Sequence, residues 1–247
     1  MTTRILVPYH LDEHLPTLDV PLHPDRTVTA PLPEGDAWSR LAALQGAVAA
    51  AVRESPHPVV ISGDCVTALG TVAGLQRSGL DPAIVWLDAH GDVQTLETTT
   101  SGYLGGLPLR ILAGYRPDLI ANALGLRPVP EHRIVLVDAR DLDPPEADYL
   151  GTSAIRHVPL ADAPRTLPPG PLYLHVDLDI VDPLELPGLR YPAPAGPGIT
   201  EVTDTIRQIL ATAQVCGIGL ACTWHPTHTP ATRLRTPIAT ALTRWNG

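Results

Sequence analysis

The chain contains 247 residues, of which 44% are hydrophobic, and carries a formal net charge of -9 at pH 7. This share of apolar residues can bury a substantial core, so we expect an ordinary globular protein. The acidic balance argues against nucleic-acid and anionic-membrane partners, because phosphate groups are bound by clustered Lys and Arg side chains.

Short apolar runs predict the strands of a sheet. Each run is bounded by Gly, Pro or Asp. Most are apolar on both faces, which is expected for strands covered by helices on each side of a parallel sheet. In chain order the runs read RILVPY, PVVISG, AIVWLD, RIVLVD, PLYLHVD and GIGLAC.

Stretches with helical spacing lie between several of these runs. The clearest spans 36–54, where Asp36 can cap the first turn and Leu41, Leu44 and Val48 recur every three or four residues. Further helices are expected near 65–77, 106–114, 200–213 and 231–244, and ordered proline-rich loops at 15–34, 164–171 and 183–198. The pattern predicts one domain over residues 1–247, an α/β protein with a three-layer α/β/α sandwich and a mostly parallel, doubly wound sheet.

Compartment signals are few. The N-terminus lacks the apolar core of a secretion signal, and no apolar stretch is long enough to cross a membrane, so we expect a cytoplasmic protein. Three cysteines, Cys65, Cys216 and Cys222, cannot all pair, and we expect free thiols.

Two acidic motifs follow predicted strands. Asp88, His90 and Asp92 alternate after one strand, and Asp177 and Asp179 alternate after another, so each set projects to one side of extended backbone. One such motif alone is equally compatible with a capping Asp and a satisfied core His. Two acidic strand ends in one sheet repel each other unless a cation holds them. The sequence therefore predicts a divalent metal site with these five ligands, and oxygen-rich donors with one imidazole suit Mn²⁺ or Mg²⁺.

These motifs resemble those of the arginase and agmatinase ureohydrolases, which bind two manganese ions in a three-layer α/β fold. The family motifs GGDH, DAHxD and S/H-x-D-x-D-x-x-D-P read SGDC, DAHGD and HVDLDIVDP here. The resemblance implies that Asp88 and Asp177 bridge the metals, that Asp92 completes the first site, and that His90 and Asp179 complete the second. It also implies catalytic roles for Asp92 and Asp177 around a hydroxide that bridges both metals.

Cys65 stands where the first family motif has its final histidine. A thiolate prefers Zn²⁺ or Fe²⁺ to Mn²⁺. We expect two divalent ions, with Mn²⁺ as the first choice and Zn²⁺ or Fe²⁺ as alternatives because of Cys65. A position between a strand and a helix N-terminus predicts a lowered pKa for the Cys65 thiol. A buried, inert thiol stays open as the alternative.

The resemblance also implies substrate-binding residues. Ser101 matches a residue that contacts the α-carboxylate of the substrate, and Asp143 falls where arginase-like members hold the α-amino group. A turn-capping role before Pro144 is an equal alternative for Asp143. Gln94 and Tyr103 replace asparagines of the arginase pattern, and Tyr103 is taken as a substrate contact. An amino-acid-derived small molecule is the expected partner.

Two departures from the family concern catalysis. Gly105 stands where arginases have the histidine thought to shuttle protons. The glutamate that holds the guanidinium group is replaced by Cys222 or Thr223, depending on where the last strand is aligned, and Cys222 is taken as the substrate contact. His225 and His228 follow, either as replacements or as solvated loop residues. Recognition of a guanidinium by a buried carboxylate is therefore not expected.

The Cys-for-His change and the SGYLGG stretch are similar to a branch of the family that hydrolyses N-hydroxy-L-arginine. We predict a metal-dependent hydrolase that cleaves a C–N bond of a guanidino, hydroxyguanidino or amide-like group. The alternatives are a catalytically silent metal-binding or scaffolding relative, and a thiol enzyme that uses Cys65 or Cys222. A homo-oligomer is a further open expectation.

Overall fold

The computed structural model describes residues 2–212, 214–226, 232–243 and 245. Its strands are β1 (Thr3–Val7), β2 (Tyr9–His10), β3 (Glu13–His14), β4 (Arg26–Thr27), β5 (Pro58–Ser62), β6 (Ala83–Asp88), β7 (Ile134–Asp138), β8 (Arg156–Val158), β9 (Leu172–Asp177) and β10 (Val215–Ala221). Its helices are α1 (Ala37–Arg53), α2 (Thr67–Arg77), α3 (Pro108–Leu112), α4 (Ala121–Leu124), α5 (Pro144–Thr152), α6 (Ile199–Leu210) and α7 (Thr232–Thr243). Short 3-10 turns complete the described secondary structure.

One sheet organises the molecule. Eight strands lie in the order β4-β1-β5-β10-β9-β6-β7-β8, and every neighbouring pair is parallel. β2 and β3 form a separate antiparallel hairpin. The predicted α/β class with a parallel, doubly wound sheet is confirmed.

Two apolar layers cover the sheet. On one face, residues of α1 to α5 pack against alternate strand residues such as Ile84, Trp86 and Tyr173. On the other, α6 and α7 pack against the opposite set, including Val85 and Leu174. Because both faces are buried, each central strand is apolar along its whole length, and this explains the continuous apolar runs in the sequence.

The predicted helices are present, with shifted ends. Asp36 caps α1 as predicted, since its Oδ1 accepts a hydrogen bond of 2.9 Å from the backbone N–H of Ser39. The hairpin of β2 and β3, together with α4, α5, β4 and β8, was not predicted. They are short, and β4 and β8 lie at the sheet edges with mostly exposed residues, so they carry little hydrophobic periodicity. Within the described residues no helix is long and apolar enough to span a membrane.

The sheet brings four strand ends together. In the register between β6 and β9, Leu87 lies beside Val176, so Asp88 and Asp177 end adjacent strands. Ala221 of β10 lies beside Asp177 on one side and beside Ser62 of β5 on the other. The segments that follow β5, β10, β9 and β6 therefore meet at one edge, where open α/β sheets bind their ligands.

Candidate metal centre

A first group of side chains that could hold a metal ion surrounds Cys65, which lies between β5 and α2. Its Sγ lies 2.9 Å from Asp177 Oδ2 and 3.8 Å from Asp88 Oδ2. His175, which the sequence analysis did not select, places Nε2 at 3.3 Å from the same sulfur. Trp86 Nε1 donates a hydrogen bond of 3.0 Å to Asp88 Oδ2. The donor atoms of Cys65, Asp88 and His175 lie within 4.8 Å of one another, and all three residues are buried.

A second group shares Asp88 with the first. His90 Nδ1 lies 3.0 Å from Asp179 Oδ2 and 3.4 Å from Asp88 Oδ1. Backbone N–H groups hold the carboxylates in place: His90 N donates to Asp88 at 2.7 Å, and Asp179 N donates to Asp177 at 2.9 Å. Asp88, His90 and Asp179 also have donor atoms within 4.8 Å of one another.

Asp92 is a buried carboxyl with an unsatisfied oxygen. Its backbone is left-handed, with φ of 52°, a conformation that costs a non-glycine residue roughly 1–3 kcal/mol. Its side chain lines the cavity, and Oδ2 is buried without a hydrogen-bond partner in the described structure. Such an oxygen is expected where a cation or water completes the site.

The electrostatics of the groups call for a cation. Burial, followed by nearby carboxylate charges, raises the pKa of Asp92 and Asp177 well above the usual range, and raises the pKa of Asp179 to about 7. Burial lowers the pKa of His90, but hydrogen bonds with Asp179 and Asp88 outweigh it and raise that pKa to about 12.

The thiol of Cys65 corrects one prediction. Burial, and then the charge of Asp177, raises its pKa well above the usual value. The predicted lowering by the helix N-terminus is wrong, because desolvation and three nearby carboxylates outweigh any backbone dipole. A free thiolate is thus disfavoured, which argues against a thiol enzyme based on Cys65. A bound metal would reverse this balance by stabilising the thiolate.

A cavity of about 570 Å³ opens onto both groups. Its floor consists of Cys65, Asp88, His90, Asp92, Asp177 and Asp179. The predicted substrate contacts Ser101, Tyr103 and Asp143 line its wall, together with Asp141, Tyr191 and Thr223. Among the described residues, the lining contains no basic side chain other than His90. The structure therefore brings together all the predicted site residues except Cys222.

The model of the arginase family matches residues 5–232. The chain belongs to the arginase family. The predicted relationship to the ureohydrolases is confirmed, and the family is one of binuclear metal-dependent enzymes.

Two curated relatives show how far the similarity extends. Arginase of Bacillus subtilis (strain 168) is 31% identical over 159 residues, which cover 59% of this chain and 54% of that protein. N(omega)-hydroxy-L-arginine amidinohydrolase of Streptomyces lavendulae is 29% identical over 179 residues, covering 70% of this chain and 63% of that protein. The chain thus spans between about half and two thirds of the length of these relatives.

Solved structures share the fold over nearly the whole chain. Arginase from Bacillus cereus superposes with a TM-score of 0.85 at 21% identity, covering 100% of this chain and 98% of that one. Formimidoylglutamase from Bacillus subtilis gives a TM-score of 0.71 at 14% identity, covering 98% and 84%. At these identities the likeness establishes the arginase-like fold alone.

Cys222 and Thr223 were the two alternatives for the position of the family's glutamate, and they face different sides of the sheet. Cys222 is fully buried in the apolar layer that includes α6 and α7, and it does not line the cavity. The prediction that Cys222 contacts the substrate is therefore corrected. Cys222 and Thr223 are adjacent in extended backbone, so their side chains face opposite sides. Thr223 faces the site, with Oγ1 at 3.4 Å from Asp177 Oδ2. His225 does not line the cavity, and His228 lies outside the described residues.

Gly105, which stands where arginases have a histidine, lies against an aromatic ring. A Cβ added to Gly105 would overlap the ring of Tyr103, which lies directly over this glycine. Tyr103 stacks on His10, with its OH 3.4 Å from His10 Nε2, and it packs against Tyr191. An aromatic ring thus fills the space that a side chain at 105 would need.

Several supporting residues escaped the sequence analysis. Glu146 Oε1 accepts a hydrogen bond from Val93 N at 3.2 Å, and its Oε2 accepts one from Asp143 N at 3.1 Å. Arg140 donates to the carbonyls of Asp179 and Ala193, at 3.1 and 2.8 Å, and so holds the segments after β9. The capping spacing of Asp143 and Glu146 before α5 was a readable signal. No local pattern identifies Arg140.

Proposed function

We propose that this protein is a metal-dependent hydrolase that cleaves a C–N bond of a guanidino, hydroxyguanidino or amide-like group on an amino-acid-derived substrate. The main support is the convergence of two ligand groups on one cavity floor in a chain of the arginase family. The buried, unpaired Asp92 Oδ2 and the raised pKa values of Asp177 and Asp179 indicate that these residues fit divalent cations.

The side chains divide between two positions. Cys65, Asp92 and Asp177 would hold one ion, His90 and Asp179 the other, and Asp88 and Asp177 would face both. Bound cations of this kind lower the pKa of water and stabilise negative charge that develops on the substrate. Metal identity follows from the donors: the second position favours Mn²⁺, whereas Cys65 makes the first more suitable for Zn²⁺ or Fe²⁺.

Asp92 and Thr223 would position the reacting groups. The free oxygen of Asp92 can accept a hydrogen bond from an attacking water and so fix its orientation. Thr223 is neutral, and its hydroxyl, which donates to Asp177 Oδ2, can accept a hydrogen bond from the substrate. Thr223 thus supplies no negative charge for a guanidinium.

The charge of the cavity favours a substrate with a free amino group. Asp141 and Asp143 lie at its exposed rim, and no Arg of the described residues lines it. Gln94 Nε2 donates a hydrogen bond of 2.8 Å to Asp143 Oδ2, and both residues line the cavity. Ser101 offers a hydroxyl for the substrate's carboxylate. An α-amino acid satisfies both ends of this wall.

The reacting group is better explained as hydroxyguanidine than as guanidine. A hydroxylated guanidine is much less basic, so it needs less help in protonation, and Gly105 in place of a shuttle histidine is then tolerable. The missing last-strand glutamate, with Thr223 facing the site instead, is a departure from the hydroxyarginine branch as well. One of the relatives acts, by its name, on N(omega)-hydroxy-L-arginine.

A catalytically silent metal-binding relative is the second candidate. The packing of Tyr103 over Gly105 favours it, because this ring narrows the cavity where arginases place a catalytic side chain. In that case the metals would serve stability alone.

Metal content and turnover separate these candidates. Full-length protein, purified without chelator, is analysed for metals and assayed for urea or hydroxyurea release from arginine, N-hydroxyarginine and agmatine. About two metals and product from N-hydroxyarginine, both lost in Asp177→Asn, are expected. Two metals without product from any substrate would support the silent relative, and absence of metal would contradict both.

A further inference from the structure

The wall behind Cys65 contains a buried imidazole for which the proposed ligand set has no role. His175 lies two residues before Asp177 on β9, so both side chains project from the same face of the strand. Its exposed fraction is 2%, and Nε2 lies 3.3 Å from Cys65 Sγ. A Zn²⁺ or Co²⁺ ion bonded to sulfur at about 2.3 Å and to nitrogen at about 2.0 Å holds these atoms roughly 3.5 Å apart in a tetrahedron.

One tautomer of His175 presents a free lone pair to Cys65. In this tautomer Nδ1 carries the proton and donates to the hydroxyl oxygen of Tyr173, at 3.2 Å. Nε2 is then unprotonated and can act as a metal ligand beside the sulfur.

The ring is also held in place by stacking. Trp86 stacks on His175 with ring centroids 3.7 Å apart. An oriented imidazole whose second nitrogen is hydrogen-bonded is the usual arrangement of a metal-binding histidine. The unpartnered, buried Asp92 Oδ2 provides an independent sign that a ligand belongs in this part of the site.

We propose that His175 Nε2, Cys65 Sγ and Asp88 form a sulfur-nitrogen-oxygen site that selects Zn²⁺ or Fe²⁺ over Mn²⁺ at the first metal position. This inference rests on the proposed function, because it requires that the centre bind metal. Binding displaces the Cys65 thiol proton to solvent and changes no oxidation state. Soft thiolate and imidazole donors favour such ions, whereas the second position keeps mainly oxygen donors.

The proposal is tested without an activity assay by titrating Co²⁺ into full-length protein from which a chelator has removed the metals. In the wild type, the first equivalent of Co²⁺ should give a sulfur-to-cobalt charge-transfer band and intense visible bands typical of four ligands. Cys65→Ser should remove the charge-transfer band. His175→Asn should keep that band but weaken binding of this equivalent by more than about 100-fold, because loss of a second-shell partner alone costs about 10- to 100-fold.

Two further variants calibrate the expected loss of Co²⁺ affinity. Tyr173→Phe removes only the hydroxyl that orients the imidazole, so a loss of about 10-fold is expected. His157→Asn is the matched control, since His157 is an exposed histidine whose Nε2 contacts the carbonyl of Asp138, and it should leave the titration unchanged.

The outcomes separate this inference from the proposed function. Unchanged Co²⁺ affinity and visible bands in His175→Asn would overturn the role of His175 while leaving the binuclear centre intact. No cobalt spectrum in the wild type would overturn the centre itself. If His175→Asn does not fold, anomalous scattering from Co²⁺-loaded wild-type crystals decides: an ion about 2.1 Å from Nε2 supports the proposal, and one beyond about 3 Å overturns it.

Discussion

Individual side chains at this site are arranged for a ligand at some cost to the folded protein. Asp92 combines a left-handed backbone, deep burial and an oxygen without a partner, each of which is unfavourable by itself. Burial of a carboxyl without compensation costs several kcal/mol unless it takes up a proton or a cation. This combination is expected at a functional residue.

Asp92→Asn should remove the charge while preserving the side-chain shape. We expect the first metal to bind at least about 100-fold more weakly, because this substitution removes an anionic ligand rather than a second-shell partner. Stability of the chelated protein should be unchanged or higher. Metal titration and chemical denaturation provide the measurements, with Asp118→Asn, an exposed partner of Arg116, as the control. Equal affinity in both variants would show that Asp92 is not a ligand.

Tyr103 and Gly105 should behave as a coupled pair. Gly105→His alone forces a side chain into the space of the Tyr103 ring and should destabilise the protein by about 1–3 kcal/mol. Combined with Tyr103→Ala, the same histidine should fit, so the two effects should be non-additive by about 1 kcal/mol or more. Denaturation of the two single variants and the double variant measures this coupling. Strict additivity would mean that the ring does not fill the site of the missing histidine.

At the scale of elements, the segment after β6 is held to the start of α5. Glu146 binds the backbone N–H groups of Val93 and Asp143 with its two oxygens. A Cβ on Gly91 would meet Glu146 Oε1 at 2.8 Å, so a larger residue there would have to displace the carboxylate of Glu146. The position of Asp92 therefore depends on a helix that contributes no side chain to the two ligand groups.

Glu146→Ala should leave the buried N–H of Val93 without its acceptor and should also free the partly exposed N–H of Asp143. A loss of about 1–3 kcal/mol in the free energy of unfolding is expected, since a buried unsatisfied group costs that amount. Metal affinity should fall as well, because the loop that carries Asp92 is released. Asp148→Ala, an exposed acidic residue of the same helix, is the control and should change neither property. Lowered stability with unchanged metal affinity would restrict Glu146 to a structural role.

At the scale of the whole molecule, the buried carboxyls connect metal binding to stability. Burial and mutual repulsion raise the pKa of Asp92, Asp177 and Asp179 above their values in the unfolded chain. Groups of this kind stabilise the folded state while they are protonated, and this stability is lost as the pH rises through the folded-state pKa. The raised pKa of His90 also makes the folded state less stable as the pH rises above about 6.5, the pKa of an unperturbed histidine.

Chelated protein should therefore become less stable as the pH rises from about 6.5 to about 8.5, with a fall in Tm of more than about 3 °C. Metal-loaded protein should show a smaller decrease or an increase, because metals bind the deprotonated ligands and affinity grows with pH. Thermal unfolding with chelator and with added Mn²⁺ or Zn²⁺ measures both curves. Parallel curves would indicate that these carboxyls do not bind metal.

The sequence by itself determined the fold class, the family and the acidic strand ends, because these depend on local signals. Apolar strands buried on both faces produce continuous apolar runs, and alternating Asp and His after a strand needs only the two-residue period of extended backbone. The short elements β2, β3, β4, β8, α4 and α5 carry no such periodicity and were missed.

The tertiary structure alone decided contacts between segments distant in the chain. His175 and Cys65 are 110 residues apart and meet only because β9, β10 and β5 are neighbours in the sheet. The same is true of Tyr103 with His10, which are 93 residues apart. The choice of Thr223 over Cys222 needed the register of β10, since a shift of one residue exchanges the two faces of a strand. Strand order and register are global properties of packing, so no local pattern could predict these contacts.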